Sequence, residues 1–170
     1  MRQSREDEFL EFARGLTGHL YRSATLLTSG DSYLAEDLVQ ETLGRMYVRW
    51  GRISEVDNPT AYARTVLVRT YLSYRRRRSS DERPFGELPE IPIISGGDPL
   101  LRLALLEALR RLSPKDRAVI VLRYWEDRSV EETALAMNTS AASVRTRSSR
   151  ALTRMRMQLG GSLAAFFTVT

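Results

Sequence analysis

The sequence predicts an all-α protein with two small helical domains, and three observations lead to this prediction. Apolar residues recur with helical spacing in several stretches, whereas alternating, strand-like runs are absent from the sequence. A cluster of Pro and Gly between residues 79 and 98 separates two sets of such stretches. Helix-start signals also recur, because a short oxygen-bearing side chain can accept hydrogen bonds from the first turn of a helix. These signals are Asp31, Asn58, Asp98, Ser113, Ser129 and Ser140.

The first set predicts an N-terminal three-helix unit, with helices at about 5–28, 32–50 and 59–78. Pro59 favours a helix start directly after Asn58, since proline at the first helical position has no N–H to leave unpaired. Two apolar stripes predict the buried faces of the first two helices. The stripes are Phe9, Ala13, Leu16, Leu20, Ala24 and Leu27, and then Ala35, Leu38, Val39, Thr42 and Met46.

The second set predicts a C-terminal unit of four helices, at about 99–112, 114–126, 130–137 and 141–158. The first two begin with proline after a capping residue. The third begins at Ser129-Val-Glu-Glu132, which has the spacing of a capping box.

The predicted organisation has a domain at 1–78, an acidic flexible linker at 79–98, a second domain at 99–158 and an apolar C-terminal tail at 159–170. The tail contains Gly160-Gly161 near its start and is interpreted first as a frayed end. A segment packed over the C-terminal unit, or a protease tag, are the alternatives.

The net charge of +5 is unevenly distributed along the 170 residues. Residues 51–78 and 99–170 are basic, whereas residues 1–50 and 79–98 are acidic. Two basic blocks on either side of an acidic connector favour two contacts with a polyanion such as nucleic acid. The alternative is a set of solvated helix faces that are unusually rich in arginine.

Composition also argues against several classes of protein. There is no apolar run of membrane-spanning length and no signal peptide, so we expect a cytoplasmic protein that does not insert into a membrane. The chain has no Cys and a single His19, which excludes disulfides, thiolate metal sites and multi-histidine sites. No nucleophile–base pair, phosphate loop or metal cluster is evident, so we expect neither enzymatic activity nor a cofactor.

Residues 129–158 have the organisation of a helix-turn-helix. A short helix is followed by Met137-Asn-Thr139, a new cap, and a long basic helix without acidic residues. Small outward-facing residues allow such a helix to enter the major groove, while arginines bind phosphates or guanine. The alternative is a basic surface helix in a plain bundle. The candidate DNA-binding residues are Ser140, Ala142, Ser143, Arg145, Thr146, Arg147, Ser149 and Arg150.

Four segments resemble, in order, regions of the extracytoplasmic-function (group IV) sigma factors of bacterial RNA polymerase, within the sigma-70 family. Asp31-Ser-Tyr-Leu-Ala-Glu-Asp-Leu-Val-Gln-Glu-Thr-Leu43 resembles region 2.2. The segments 58–62 and 71–78 resemble regions 2.3 and 2.4, and 109–123 resembles region 4.1. The helix-turn-helix then stands where region 4.2 is expected. The resemblance covers about residues 8–158 and is greatest to the small actinobacterial type.

The resemblance implies a role for the exposed face of the second helix. Asp37, Gln40 and Glu41, with Arg45 beside them, are expected to bind the clamp helices of the largest polymerase subunit. An acidic, polar stripe suits a basic partner helix. A solvated helix face and a metal site at Glu36, Asp37 and Glu41 are the alternatives.

The helix after Pro59 is expected to meet the −10 element of the promoter. Its arginines can bind phosphates, and its tyrosines can either stack on unpaired bases or belong to the core. The segment 51–57 resembles the loop that holds a flipped −10 base. The candidate residues are Tyr62, Arg64, Arg69, Arg75, Arg76, Arg77 and Arg78, with Tyr71 and Tyr74 as further aromatic candidates.

The implied function is that of a sigma factor, which binds core polymerase, recognises and melts the −10 element, and reads the −35 element. Further implied partners are the flap of the second polymerase subunit and an anti-sigma factor. The linker is expected either to thread through polymerase or merely to be solvated. Gly44, Arg69, Ser73 and Met137-Asn138 depart from the family pattern and leave promoter preference open.

Two other classes of function fit the sequence less completely. A dimeric helix-turn-helix regulator accounts for residues 99–158, but it leaves the segment 31–43 unexplained. An enzyme acting on nucleic acid lacks any visible catalytic group.

Overall fold

The computed structural model describes residues 2–78 and 98–160. Its described residues form α-helices and one π-helical segment, without a strand, which confirms the predicted all-α class. The helices are α1 (Arg2–Leu27), α2 (Ser32–Val48), α3 (Trp50–Ile53), α4 (Pro59–Arg78), α5 (Pro99–Arg110), α6 (Pro114–Ile120), α7 (Val130–Met137) and α8 (Ala141–Leu159), and the π-helical segment is Val121–Trp125. The predictions for the connector at 79–97 and for the tail from 161 onwards lie outside the described residues.

The predicted caps are confirmed, because each side chain accepts a hydrogen bond from a backbone N–H in the first turn of the following helix. The capping box at α7 is complete: Glu132 N–H donates to Ser129 Oγ at 3.0 Å, and Ser129 N–H donates to Glu132 Oε1 at 3.1 Å. The other five caps are Asp31, Asn58, Asp98, Ser113 and Ser140.

The helix predicted at 32–50 ends at Val48, and the separate short helix α3 follows. The interruption turns Trp50 into the core, where its ring lies 4.8 Å from Phe12 and 5.4 Å from Phe9 between centroids. Burial of this large aromatic side chain outweighs continuation of the helix. The N-terminal unit therefore has four helices rather than three, and the loop predicted at 51–57 is partly helical.

The prediction of a continuous α-helix at 114–126 is wrong in its second half. It is α-helical only to Ile120 and then widens into the π-helical segment, whose end is closed by Glu126 N–H donating to Val121 O at 2.9 Å. The wider turn brings the Glu126 carboxylate to α1, where Ser23 Oγ donates to it at 2.7 Å. A tertiary hydrogen bond thus accompanies the change in helix geometry.

Both predicted apolar stripes of α1 and α2 are buried, as expected from their spacing. The core does not end at the N-terminal unit, however. Helices α1 and α4 also pack against α5, α6, α7 and the π-helical segment, so that the buried side chains of both units form one continuous cluster. No described helix is both long and apolar enough to cross a lipid bilayer.

Candidate nucleic-acid interface

The segment from α7 to α8 has helix-turn-helix geometry. Asn138, the residue directly after α7, adopts the left-handed conformation with φ of 53°, and the helix ends there. Thr139 N–H donates to Ala134 O at 2.9 Å, and the Ser140 cap then starts α8. The turn predicted at Met137-Asn-Thr139 is confirmed.

Helix α8 has a buried and an open side. Val144, Ser148, Ala151 and Met155 are buried against the core. On the open side lies a shallow groove of about 280 Å³, whose walls are five of the eight candidate residues. These are Ala142, Ser143, Thr146, Arg147 and Arg150. Of the other three, Ser140 caps the helix, Ser149 is exposed, and exposed Arg145 lies 3.7 Å from Glu131.

Two arginines of this groove are held by one buried carboxylate, which sequence reasoning missed. Asp116 of α6 is 1% exposed, and its Oδ1 accepts from Arg147 Nη1 at 2.8 Å and from Arg150 Nη2 at 3.0 Å. Arg150 Nε also donates to Oδ2 at 3.3 Å. Paired hydrogen bonds of this kind fix the plane of a guanidinium. The pairing leaves the Nη1 group of Arg150 for another partner.

These contacts stabilise the ionised form of the Asp116 carboxyl group. Burial raises the pKa of its carboxyl, but the hydrogen bonds and positive charges of Arg150 and Arg147 outweigh burial and hold the pKa below its ordinary value. Because the partners follow Asp116 by 31 and 34 residues, no local spacing could have revealed the contact.

The predicted polymerase-binding face of α2 is open. Asp37, Gln40, Glu41 and Arg45 are all exposed, although Arg45 Nη2 donates to Glu41 Oε1 at 2.7 Å within the face. Gly44 stands among them, and apart from its own helix no atom of the described residues lies within 4 Å of a Cβ added there.

The metal-site alternative on α2 is not supported. Among residues 2–78 and 98–160, no three acidic or histidine side chains form a group that could hold a metal ion.

The candidate residues of α4 fall into two groups. Arg75, Arg76 and Arg77 are exposed at the end of the helix, next to Arg78, whose guanidinium lies 5.5 Å from the centre of the Tyr74 ring. The other group is Arg64 and Arg69, which face the C-terminal unit.

Arg69 donates to two backbone carbonyls at the end of α7, from Nε to Ala136 O at 2.9 Å and from Nη2 to Leu135 O at 3.0 Å. Arg64 Nε lies 3.9 Å from Glu126 Oε2. The structure thus separates the terminal arginines of α4 from two arginines that contact the C-terminal unit.

The tyrosines of α4 also differ in their surroundings. Tyr71 is fully buried and its hydroxyl accepts from Arg117 Nη1 at 2.9 Å, so of the two possibilities that the sequence leaves open for this tyrosine the structure shows the core one. Burial raises the pKa of its phenol. Tyr62 and Tyr74 are partly buried against the core and keep part of their surface open.

Fold and surface together define a helical DNA-binding protein, with a helix-turn-helix in one unit and an arginine-rich helix end in the other. Comparison with known proteins gives the family. The profile described as Sigma-70 region 2 matches residues 9–80, and that described as Sigma-70, region 4 matches residues 102–155.

Curated relatives agree with these matches. The RNA polymerase sigma-E factor of Streptomyces coelicolor is 40% identical over 153 residues, which cover 89% of this chain and 86% of that protein. The ECF RNA polymerase sigma factor SigG of Mycobacterium tuberculosis is 30% identical over an alignment that covers 85% of this chain and 46% of that protein. The chain therefore belongs to the sigma-70 family and is a sigma factor of the extracytoplasmic-function type, as its sequence predicts.

A solved structure is similar over both units. It is the sigma factor RpoE in complex with the anti-sigma factor NepR from Bartonella quintana, with a TM-score of 0.75 and 26% identity, covering 91% of this chain and 98% of that one. Because the match spans both units, their mutual arrangement is similar in the two structures.

Proposed function

We propose that this sigma factor binds core RNA polymerase and directs promoter-specific initiation by melting the −10 element and reading the −35 element. The observation that carries the proposal is the separation of three surfaces in one small fold. These are the acidic face of α2, the basic end of α4 and the groove along α8. Sigma factors regulate transcription rather than catalyse reactions. We propose that this chain accordingly acts by binding alone, without a cofactor, in the cytoplasm.

Polymerase is the partner proposed for α2. Asp37, Gln40, Glu41 and Arg45 are available to the clamp helices of the largest subunit, and their mainly acidic character suits a basic surface. We assign the flap of the second subunit to the C-terminal unit. Because the similar RpoE chain is held by an anti-sigma factor, we also propose an inhibitor of that class for this chain.

The −10 element is assigned to α4. Arg75, Arg76, Arg77 and Arg78 provide contacts to phosphates, and the open part of the Tyr62 ring provides a stacking surface for an unpaired base. Such stacking stabilises an exposed base by roughly 1–3 kcal/mol, which offsets part of the cost of melting. Arg64 and Arg69 belong to the same proposed surface.

The −35 element is assigned to α8. The groove is lined by three small residues together with Arg147 and Arg150, so the helix can approach base edges closely at the small residues. Asp116 holds both guanidinium groups before DNA arrives, which lowers the ordering cost of binding.

Reconstituted transcription tests this function. Core polymerase with the purified chain is expected to start transcripts at defined positions, which sequencing of their 5′ ends would locate. A helix-turn-helix regulator would instead require another sigma factor in the reaction, and the absence of specific transcripts would reject the proposal. Binding of the holoenzyme to those promoters should fall steeply with salt concentration, because many contacts are to phosphates.

The polymerase-binding face has its own test. Asp37→Ala and Gln40→Ala are expected to weaken binding to core polymerase about tenfold while the fold is retained, since both residues are exposed. Glu8→Ala, an equally exposed change on α1, is the matched control. Unchanged polymerase affinity in both α2 variants, measured by fluorescence titration, would refute the assignment.

A further inference from the structure

The two arginines in the groove of α8 are held to different degrees by the same carboxylate. Arg150 meets both oxygens of Asp116, from Nε to Oδ2 at 3.3 Å and from Nη2 to Oδ1 at 3.0 Å. Arg147 donates from Nη1 to Oδ1 at 2.8 Å, which is its single hydrogen bond among the described residues. Two hydrogen bonds to one carboxylate fix the plane of a guanidinium, whereas one bond leaves it free to rotate. The plane of Arg150 is therefore set before DNA binds.

The edge of Arg150 that the carboxylate occupies determines which edge is left. A guanidinium is planar and has five N–H groups, one on Nε and two on each Nη atom. Asp116 takes the edge formed by Nε and Nη2, so the edge formed by Nη1 and the second N–H of Nη2 has no partner among the described residues. Its two adjacent donors match the N7 and O6 acceptors of guanine in the major groove. Because the Arg150 side chain lines the groove and is 49% exposed, it can present this edge to a base.

Asp116 is itself fixed, which makes it a suitable support for Arg150. Its side chain is 2% exposed, and its backbone N–H donates to the Ser113 cap of α6 at 3.2 Å. Helix α6 packs directly against α8. If Arg150 turned away to a phosphate, it would lose both hydrogen bonds to this buried carboxylate, which would keep Arg147 as its remaining partner. The held geometry is therefore favoured when DNA arrives.

A held arginine discriminates between bases more strongly than a mobile one. A mobile side chain loses rotamer freedom on binding, and it can turn to a phosphate or to a neighbouring base, which reduces the penalty for a wrong base. Only guanine has two acceptors on its own major-groove edge, so at every other base a held donor faces a donor or a methyl group. The support of Asp116 thus bears on sequence preference as well as on affinity.

We propose that Asp116 is a positioning residue for sequence readout, which presents the open edge of Arg150 to a guanine of the −35 element and thereby sets the preference for that base. The inference rests on the proposed function, which assigns the −35 element to α8. Arg147, with its single bond to Asp116, contributes contacts to phosphates rather than base preference. Because one carboxylate faces two arginines, the groove keeps a net positive charge that suits DNA.

Binding of the holoenzyme to promoter duplexes tests this role. The duplexes carry the −35 element of a promoter located by 5′-end sequencing, and each base pair of the element is replaced in turn. Wild type gives the loss of affinity for each replacement. Arg150→Ala then identifies the pair that Arg150 reads, because replacement of that pair no longer lowers the affinity. We expect a pair that contains guanine. An A·T pair at this position, or losses that Arg150→Ala leaves unchanged at every pair, would contradict the proposal.

Asp116→Asn is the decisive variant, because the amide has about the size of the carboxylate but places an N–H donor against the donors of Arg150. Wild type is expected to prefer guanine at the identified pair about tenfold. Asp116→Asn should lower that preference at least about threefold and leave the losses at the other pairs unchanged. A merely structural role predicts a uniform loss of affinity at all pairs. That result, or an unchanged preference for guanine, would overturn the proposal.

Glu107→Gln is the matched control. It removes the same charge from a carboxylate that also meets two arginines, Arg110 at 2.9 Å and Arg111 at 3.2 Å. These three residues do not line the groove of α8. The base preferences of this variant should equal those of wild type, and a loss of guanine preference as large as that of Asp116→Asn would count against a specific role of Asp116.

A second variant makes the test independent of the stability of Asp116→Asn. Arg150→Lys retains the positive charge at a half-exposed position but lacks the two edges of a guanidinium. Its preference for guanine at the identified pair is expected to fall to that of Arg150→Ala, whereas Arg147→Lys should keep the wild-type preference. Retention of the guanine preference in Arg150→Lys would refute the proposal.

The same measurements separate this inference from the proposed function. A wild-type holoenzyme that binds promoter no better than unrelated DNA would reject the proposed function and this inference with it. The contrary outcomes named for the variants reject this inference alone, because they presuppose that wild type prefers the promoter.

Discussion

Helix α6 makes two charged contacts in opposite directions, and they differ in how the buried charge is compensated. Asp116 faces α8 within the C-terminal unit and meets two arginines. Arg117, its neighbour in sequence, faces the N-terminal unit and meets backbone carbonyls and a phenol. The first contact pairs a buried carboxylate with two arginines that reach the surface, and the second compensates a buried cation with neutral dipoles.

The difference teaches what each contact can do. The arginines of the first contact remain 25% and 49% exposed, so part of each guanidinium stays accessible to DNA while Asp116 holds it. The guanidinium of Arg117 has no such access, because its burial removes its hydration, and the loss of one of its hydrogen bonds would leave a buried polar group without a partner. Burial accordingly lowers the pKa of Arg117. The first contact suits recognition, and the second suits holding two units together.

The largest expected effect breaks the second contact. Arg117→Ala is expected to lower the free energy of unfolding by about 3 kcal/mol, because buried carbonyls of both units lose their donor. Arg111→Ala is the control, since that side chain is 62% exposed and its ion pair with Glu107 should contribute less than about 1 kcal/mol. Urea titration followed by circular dichroism measures both, and similar losses in the two variants would contradict the contrast.

An intermediate effect is expected from the first contact. Asp116→Asn should cost about 1–2 kcal/mol at pH 7, since the two arginines keep access to water. The folded-state pKa of Asp116 lies below its unfolded value, so the ionised carboxylate stabilises the fold above the unfolded pKa. That contribution is lost as the pH falls through the folded value. The difference between wild type and variant should therefore shrink below about pH 4, and a constant difference would argue against the ion pair.

The smallest effect on the fold is expected from Arg150→Ala, which removes one partly exposed partner of Asp116 while Arg147 remains. We expect only a small loss of unfolding free energy, because the Arg150 side chain is half exposed and its charge stays screened by solvent. The affinity of the holoenzyme for promoter DNA should nevertheless fall about tenfold, which is within the range for the loss of one good base contact. Arg154→Ala, an exposed change further along α8, is the control in filter binding. Equal promoter affinity in both variants would remove Arg150 from the proposed −35 surface.

Much of this fold was predictable because its signals are local. A capping residue and the backbone groups that it caps lie within four residues of one another, so Ser129 and Glu132 predict the start of α7 from local sequence alone. The stripe from Phe9 to Leu27 likewise needs only the helical period. The exposed face of α2 follows from the same period, although its role follows from the resemblance to sigma factors.

The errors arose where distant side chains compete with local preference. Trp50 lies in a separate short helix because its ring packs against Phe9 and Phe12. Tyr71 is buried, and its hydroxyl accepts a hydrogen bond from Arg117, 46 residues away, so the local pattern could not decide between core and surface. Neither partner is visible from the local pattern.

By itself the sequence determined most of the helices, their caps, the helix-turn-helix and the sigma-factor family. Periodicity, capping chemistry and ordered motifs all involve residues that are close in sequence, so they can be recognised without the structure. Only the tertiary structure decided which arginines are held and by what. Arg147 and Arg150 donate to the buried carboxylate of Asp116, whereas Arg69 of α4 donates to a backbone carbonyl at the end of α7. The physical reason is that a guanidinium has the same local signature everywhere, and its role depends on acceptors that packing brings from distant parts of the chain.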